Sequence, residues 1–281
     1  LGRVNISEPF HLERIKAEYF TITRGTLKEF RIPPGINHLC YIILGRASLE
    51  VDQQSGNVVK DDCFSFAASE VKRTYTLNAP ENGDDLRLIF VEDIEARSYN
   101  RKKECKRGIP TIVSAVTSSK WYNKGINQNK FARLALLTDM GLELETIPWS
   151  LNLKRIPPGT QSSNNHAHSE DDEFAIVLSG KARYWYHGIV PEPILQAGDC
   201  VGWKAGTGIC HCLFNDAEDF DGSGEDLVFL DWGENKRDID KFYFGHANPP
   251  YWRDDLKWLD HPELPLGPAS PFPRFPRPDD R

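Results

Sequence analysis

Residues 159–180 read Gly159-Thr160-Gln161-Ser162-Ser163-Asn164-Asn165-His166-Ala167-His168-Ser169-Glu170-Asp171-Asp172-Glu173-Phe174-Ala175-Ile176-Val177-Leu178-Ser179-Gly180. A polar stretch that opens at one glycine passes into a short apolar run that ends at another, the pattern of a strand bounded by turns. Residues two apart on a strand share a face, so His166 and His168 can present both imidazoles to one point. Glu173 opens the next strand across a turn of four polar residues. A third imidazole, His211, stands in a strand that follows the glycine-rich turn Gly206-Thr207-Gly208. Three neutral imidazoles and a carboxylate suit Fe, Mn, Ni, Cu or Zn and leave positions open for water, substrate or dioxygen. A closed structural zinc site would more usually draw on several thiolates. A His-x-His pair is common by chance, and the candidate metal site rests on the combination of His166, His168, Glu173 and His211.

Outward from this stretch, the chain reads as an internal repeat. Phe30-Arg31-Ile32-Pro33-Pro34-Gly35 leads to Ile42-Ile43-Leu44-Gly45, and Lys154-Arg155-Ile156-Pro157-Pro158-Gly159 leads to Ile176-Val177-Leu178-Ser179-Gly180. Further on, Asp61 to Ala68 lies opposite Gly198 to Ala205, and each is followed by a strand and an Asn, at Asn78 and Asn215. The offset is near 124 at the turns and near 137 later, which predicts an insertion in the second copy, at the histidines. The organisation expected is a first barrel over residues 1–95, a linker over 96–145, a second barrel over 146–245 and a Pro-rich arm over 246–281, its start pinned by Trp252 and Trp258. Phe131 to Leu137, within the linker, is a short apolar stretch that fits helix or strand.

Composition narrows the class. Of 281 residues, 40% are hydrophobic and 11% aromatic, enough for folded cores, and the apolar runs between 19 prolines and 21 glycines are short and rich in Val, Ile, Leu, Tyr and Phe. An all-β fold is expected. The formal charge is −7, and the basic run Arg101-Lys102-Lys103 with Lys106-Arg107 reads as a solvated face, so nucleic acid is not an expected partner. The sequence has no apolar run of spanning length, and its first residues lack the apolar core of a signal peptide; a cytoplasmic protein with no membrane partner is expected. The six cysteines show no repeating spacing and are expected as thiols; Cys210 and Cys212 should face away from the His211 imidazole as packing residues. Glu170, Asp171 and Asp172 read as a solvated turn. In the strand after Gly180, either Tyr184 and Tyr186 or Trp185 and His187 face the interior, and alternation alone does not choose. Gly202 to Gly208 lacks the Gly-Lys-Ser/Thr ending of a nucleotide loop.

The bracketing glycines, the two histidines, Glu173, Gly198, Gly206, His211 and Asn215 resemble the two motifs of the cupin superfamily. Three departures stand out: six residues rather than five before His166, Lys204 where Pro is usual, and a longer gap between Gly206 and His211. The resemblance implies two double-stranded β-helix, or jelly-roll, barrels in tandem. It implies one divalent transition metal per chain, Fe(II) first and Mn, Ni, Zn or Cu as alternatives, held by His166, His168, Glu173 and His211. The first copy, with Asn37-His38-Leu39 where the histidine segment belongs and no His from Val71 to Thr76, resembles a barrel without metal. The activities implied differ. A metal enzyme acting on a small oxygenated or aromatic metabolite comes first, with a dioxygenase ahead of an isomerase, decarboxylase or lyase that uses the metal as a Lewis acid. In either enzyme Glu173 is a candidate catalytic base. A non-catalytic small-molecule-binding protein is the other reading, and a homodimer would suit any of them.

Overall fold

The computed structural model describes residues 2–12, 15–93, 110, 112–114, 122–126, 129–135, 149–186, 192–216, 224–234, 239–244 and 257–258. The first half contains β1 (Gly2–Asn5), β2 (Ile15–Ile22), β3 (Leu27–Ile32), β4 (His38–Leu44), β5 (Arg46–Val51), β6 (Gln54–Val59), β7 (Asp62–Phe66), β8 (Arg73–Asn78) and β9 (Leu86–Asp93). Next come β10 (Ile112–Ser114), β11 (Tyr122–Ile126) and β12 (Asn129–Ala135). The second half contains β13 (Trp149–Ile156), β14 (Thr160–Gln161), β15 (Ala167–His168), β16 (Glu173–Ser179), β17 (Lys181–Tyr186), β18 (Ile194–Gln196), β19 (Cys200–Trp203), β20 (His211–Asn215), β21 (Leu227–Glu234) and β22 (Phe242–Tyr243).

The chain forms two compact units. The first barrel comprises the sheets β1-β2-β9-β4-β7-β10 and β3-β8-β5-β6, and the second barrel comprises β11-β12-β13-β21-β16-β19 and β14-β20-β17-β18. Two antiparallel sheets with this non-sequential order form the jelly-roll barrel, twice, as expected. Strand alternation builds each core: along β5, Ala47, Leu49 and Val51 turn inward while Arg46 and Glu50 stay exposed. They meet Phe20, Phe30, Phe64, Tyr75, Leu77 and Phe90 in the first barrel, and Ala175, Val177, Leu213, Leu227 and Phe229 do the same in the second. Each large side chain so buried stabilises by about 1.5–3 kcal/mol. Residues 96–145, expected as a linker, supply strands where they are described: β10 pairs with β7, and β11 and β12 form a hairpin. Phe131 to Ala135 is therefore strand. The basic run 101–107 and Trp252 lie outside the described residues, as does the Pro-rich arm apart from Lys257 and Trp258. Among the described residues no helix is long and apolar enough to cross a membrane.

The repeat has a different register from the one its Pro-Pro-Gly turns suggest. Pro33 to Gly35 follows β3, whereas Pro157 to Gly159 follows β13, which occupies the place of β2 in its sheet. Gly25, not Gly35, is the counterpart of Gly159: Gly25 N–H donates to Ala79 O (2.9 Å) and Gly159 N–H to Asn215 O (2.6 Å). The offset is thus near 135 at this turn as well as later, and the long insertion at the histidines disappears. Pro-Pro-Gly is a general turn former, Pro fixing φ and Gly supplying a positive one, so it can end unrelated strands in two copies. The later alignment stands. Asp61 N–H donates to Ile42 O (2.8 Å) and Gly198 N–H to Val177 O (2.9 Å), each from a residue with positive φ. Asn215 corresponds to Ala79 rather than Asn78.

Gly45 and Gly180 close the equivalent strands with φ +85° and +75°. A Cβ at Gly45 would lie 2.9 Å from Asp85 O, and one at Gly180 2.7 Å from Asp226 O. Gly159 has φ +72° and nothing within 4 Å. In the first barrel His38 is buried at the start of β4, with Nδ1 3.0 Å from Glu92 Oε1 and Nε2 2.7 Å from Tyr75 Oη. Glu92 also accepts from Lys16 Nζ at 3.0 Å. Burial, the largest single influence on Glu92, would raise its pKa, but His38 and the Lys16 ammonium together outweigh it and hold the carboxyl at about 2.

Two outcomes follow. Gly180→Ala should destabilise by about 2–4 kcal/mol in denaturant titrations, combining left-handed strain with a backbone clash, whereas Gly159→Ala should cost only about 1 kcal/mol; equal losses would contradict the packing described. Because the folded pKa of Glu92 lies below its ordinary value, its contribution is complete above pH about 4.5 and fades as pH falls towards 2. Glu92→Gln should remove up to about 3 kcal/mol at neutral pH and flatten the stability loss within that window.

Candidate metal centre

β14 pairs with β20 through Thr160↔Asn215 and Gln161↔Phe214. Ser162 N–H still donates to Leu213 O (2.8 Å); the chain then leaves this ladder over Ser163 to Asn165 and rejoins it at one bridge, His166↔His211, with N–H···O distances of 3.4 and 3.0 Å. The following β15 pairs instead with β22, Ala167 opposite Tyr243 and His168 opposite Phe242. Glu173 begins β16 opposite Trp203, and His211 begins β20. The four predicted residues thus sit where strands start or end, where side chains can converge without breaking a ladder.

Every imidazole is oriented through its Nδ1. His166 Nδ1 donates to Asn164 O (2.7 Å), His211 Nδ1 faces Ile209 O (3.3 Å) and His168 Nδ1 donates to Asp240 Oδ2 (2.6 Å). The Nε2 atoms are left to act, and two of them meet at one carboxylate oxygen: His211 Nε2 lies 2.8 Å and His168 Nε2 3.4 Å from Glu173 Oε2. One donor atom each of His166, Glu173 and His211 lies within 4.8 Å of the others. His168 Nε2 is buried and makes no hydrogen bond. Metal–ligand distances of about 2.0–2.2 Å place neighbouring ligand atoms about 3–4 Å apart, so His166, Glu173 and His211 are close enough to share one ion, while by the same 4.8 Å spacing His168 groups with Asp171 and Asp240. Trp203 stacks on His211 (4.0 Å between centroids, 14° between planes), and Phe242 packs against His168 at 4.6 Å.

The electrostatics are those of a cation site. Burial, then the neighbouring His168, pushes His166 down to about 3, so it is a neutral donor. Burial would lower His168 as well, but the Glu173 carboxylate and the Asp240 bond raise it well above the usual imidazole value. Burial would raise Glu173, yet the neighbouring His168 and the bond from His211 hold it well below the usual carboxylate range. The pocket therefore sets the Glu173 carboxylate against the His168 ring at 3.4 Å. A metal ion bound there would compete with any proton on His168.

Several contributors were not legible beforehand. Asp240 lies 72 residues after His168 in sequence and belongs to no local pattern. Phe242 and Phe244 come from the same segment, with rings 5.8 and 6.2 Å from that of His166. Asp171 and Asp172 are buried rather than solvated, and Asp172 Oδ1 accepts from Ala205 N–H (2.9 Å). Tyr184 takes the interior face: its hydroxyl accepts from Trp203 Nε1 (2.8 Å), whereas Trp185 packs on the outer side with Cys210 and Cys212. Both thiols are buried there and pushed up by burial, Cys210 to about 12, as the alternation predicts. The Tyr186 side chain and His187 lie outside the described residues.

Strand register identifies the same four positions in the first barrel. Phe30↔Tyr75 matches His166↔His211, and His38↔Phe66 matches Glu173↔Trp203. Tyr75 thus replaces His211 and His38 replaces Glu173, while Phe30 stands for His166 and Ile32 for His168. Phe30 stacks on Tyr75 (5.1 Å, 21°), as does Phe66 (5.2 Å, 25°). An aromatic plug occupies the place of the donor set.

Residues 152–222 match the Cupin domain family. No curated protein matches the chain by sequence. Among solved structures, the chain is similar to Bacillus subtilis oxalate decarboxylase at pH 4.6, with 15% identity over 83% of this chain and 71% of that one and a TM-score of 0.56. A structure from work on the Mn(II) centres of the same B. subtilis enzyme gives 15% identity, 85% and 73% coverage and a TM-score of 0.55. At such identity the likeness speaks for the fold alone, and it extends over both barrels. The Cupin domain match thus lies in the second barrel, and the fold of the whole chain is similar to that of the oxalate decarboxylase structures.

Proposed function

We propose that the second barrel holds one divalent first-row metal on His166, His168, Glu173 and His211 and uses it as a Lewis acid on a small oxygenated carboxylic acid, in decarboxylase or lyase chemistry. The observation that carries the metal is the orientation of all three imidazoles through Nδ1, with a buried Nε2 that has no hydrogen-bond partner aimed at an ionised glutamate. Support for non-redox chemistry comes from the similar structures, which are named as an oxalate decarboxylase and, in one case, for its Mn(II) centres. Mn(II) therefore stands beside Fe(II) as a candidate ion. We propose no metal in the first barrel, where Phe30, Ile32, His38 and Tyr75 take the ligand positions.

When bound, such an ion would supply positive charge to polarise a carboxylate or carbonyl oxygen of a small acid. The protein's part is to hold the donors. His166 is neutral without a proton to shed, Glu173 is already anionic, and the Asn164 and Ile209 carbonyls fix two ring planes. Trp203, Phe242 and Phe244 pack around the imidazoles and exclude water from their far sides. While bonded to His211 and carrying its charge, Glu173 serves better as a ligand than as a proton acceptor. The dioxygenase reading rests on the same donor set, which suits Fe(II) equally.

Elemental analysis of wild type and His166→Ala, followed by carbon dioxide and oxygen measurements on Mn(II)- and Fe(II)-loaded protein with short dicarboxylic and α-keto acids, tests this. Wild type should carry about one ion per chain and the variant far less, and at least one acid should release carbon dioxide without matching oxygen uptake. Equal metal in both proteins would remove the site. Oxygen consumed mole for mole with product would replace the proposal with the dioxygenase, and turnover of nothing would favour a binding protein.

A further inference from the structure

Two of the three candidate ligand imidazoles are aimed by their own loops, since the carbonyls of Asn164 and Ile209 lie two residues from His166 and His211. His168 is aimed from further away. Its Nδ1 reaches Asp240, beyond the last long strand of the barrel, and Asp240 is buried at 3% exposure. The Asp240 carboxylate is itself fixed. Its Oδ1 accepts from Glu170 N–H (2.9 Å), Asp171 N–H (3.3 Å) and Ser169 Oγ (3.4 Å), which leaves Oδ2 on His168. Backbone around it is tied as well, by Ser169 N–H to Lys241 O (3.0 Å) and Lys241 N–H to Ser169 Oγ (2.8 Å). Phe242 closes the other side of the His168 ring.

A buried carboxylate costs several kcal/mol unless donors compensate it, and here His168, Ser169, Glu170 and Asp171 supply them. An acceptor on Nδ1 fixes the tautomer, aims Nε2 and makes the ring a better donor. We infer that Asp240 is a positioning residue for His168, and that through it residues 239–244 are a working part of the metal site rather than a trailing segment. This rests on the metal reading above.

Full-length Asp240→Ala, Asp240→Asn and Asp240→Glu should be titrated with Mn(II), with affinity and stoichiometry read from the free-ion electron paramagnetic resonance signal and the bound-ion line shape recorded. Wild type should bind one ion per chain. Asp240→Ala should bind one ion about 10- to 100-fold more weakly with an altered line shape, and Asp240→Asn, which keeps an acceptor oxygen without the charge, should lose less. Hydrogen exchange in residues 239–244 should slow on Mn(II) addition in wild type and less so in the alanine variant. Should the alanine variant not fold, the asparagine and glutamate variants carry the same comparison.

Unchanged Mn(II) affinity and line shape in folded variants would overturn the inference and leave the metal reading standing. A drop from two ions to one would overturn it by making Asp240 a ligand of a second site with His168 and Asp171. No Mn(II) binding by wild type would overturn both.

Discussion

The second barrel is organised around the negative charge of Glu173. Glu173 sits at the start of β16 among imidazoles, and a carboxylate so placed is tolerable only if positive charge and hydrogen bonds answer it. The neighbouring His168 ring and the His211 bond do so. The local irregularities serve that requirement. β14 stops after two residues, the chain skips to a single bridge at His166, and β15 turns from β20 to β22. Each break costs ladder hydrogen bonds and frees a side chain to point at Glu173.

The first barrel shows the same scaffold with the requirement removed. Its β3 runs unbroken from Leu27 to Ile32 and pairs along its whole length with β8, because nothing on it must leave the ladder. Phe30, Tyr75 and Phe66 stack where the donors of the second barrel stand, so apolar burial replaces ionic compensation. His38 keeps a polar group at the Glu173 position but satisfies both ring nitrogens, one on Glu92 and one on Tyr75. The comparison separates what the fold needs from what the site needs.

What could be read from the sequence follows the range of the interactions. The all-β class came from short apolar runs and turn residues, which act locally. His166, His168, Glu173 and His211 were visible because strand alternation and motif spacing bring them to one place. The repeat was detected, yet its register was misread at Pro33 to Gly35, because turn chemistry reports where a chain bends and not which strand has ended. Asp240 was invisible for the opposite reason: its meaning lies in contacts with residues 168–171, and no periodicity links segments so far apart. Asp171 and Asp172 looked solvated because composition cannot tell that Asp240 and Ala205 draw their turn inward.

The position of Asp240 also has a bearing on the order of assembly. A chain made from its N-terminus possesses all four donors once residue 211 has emerged, but the group that aims one of them arrives 29 residues later. β21, which lies between β13 and β16 in its sheet, also follows residue 211, so the donors and the group that aims one of them become ordered together. On the metal reading proposed above, the ligand geometry therefore depends on residues 239–244 as well as on the four donors themselves.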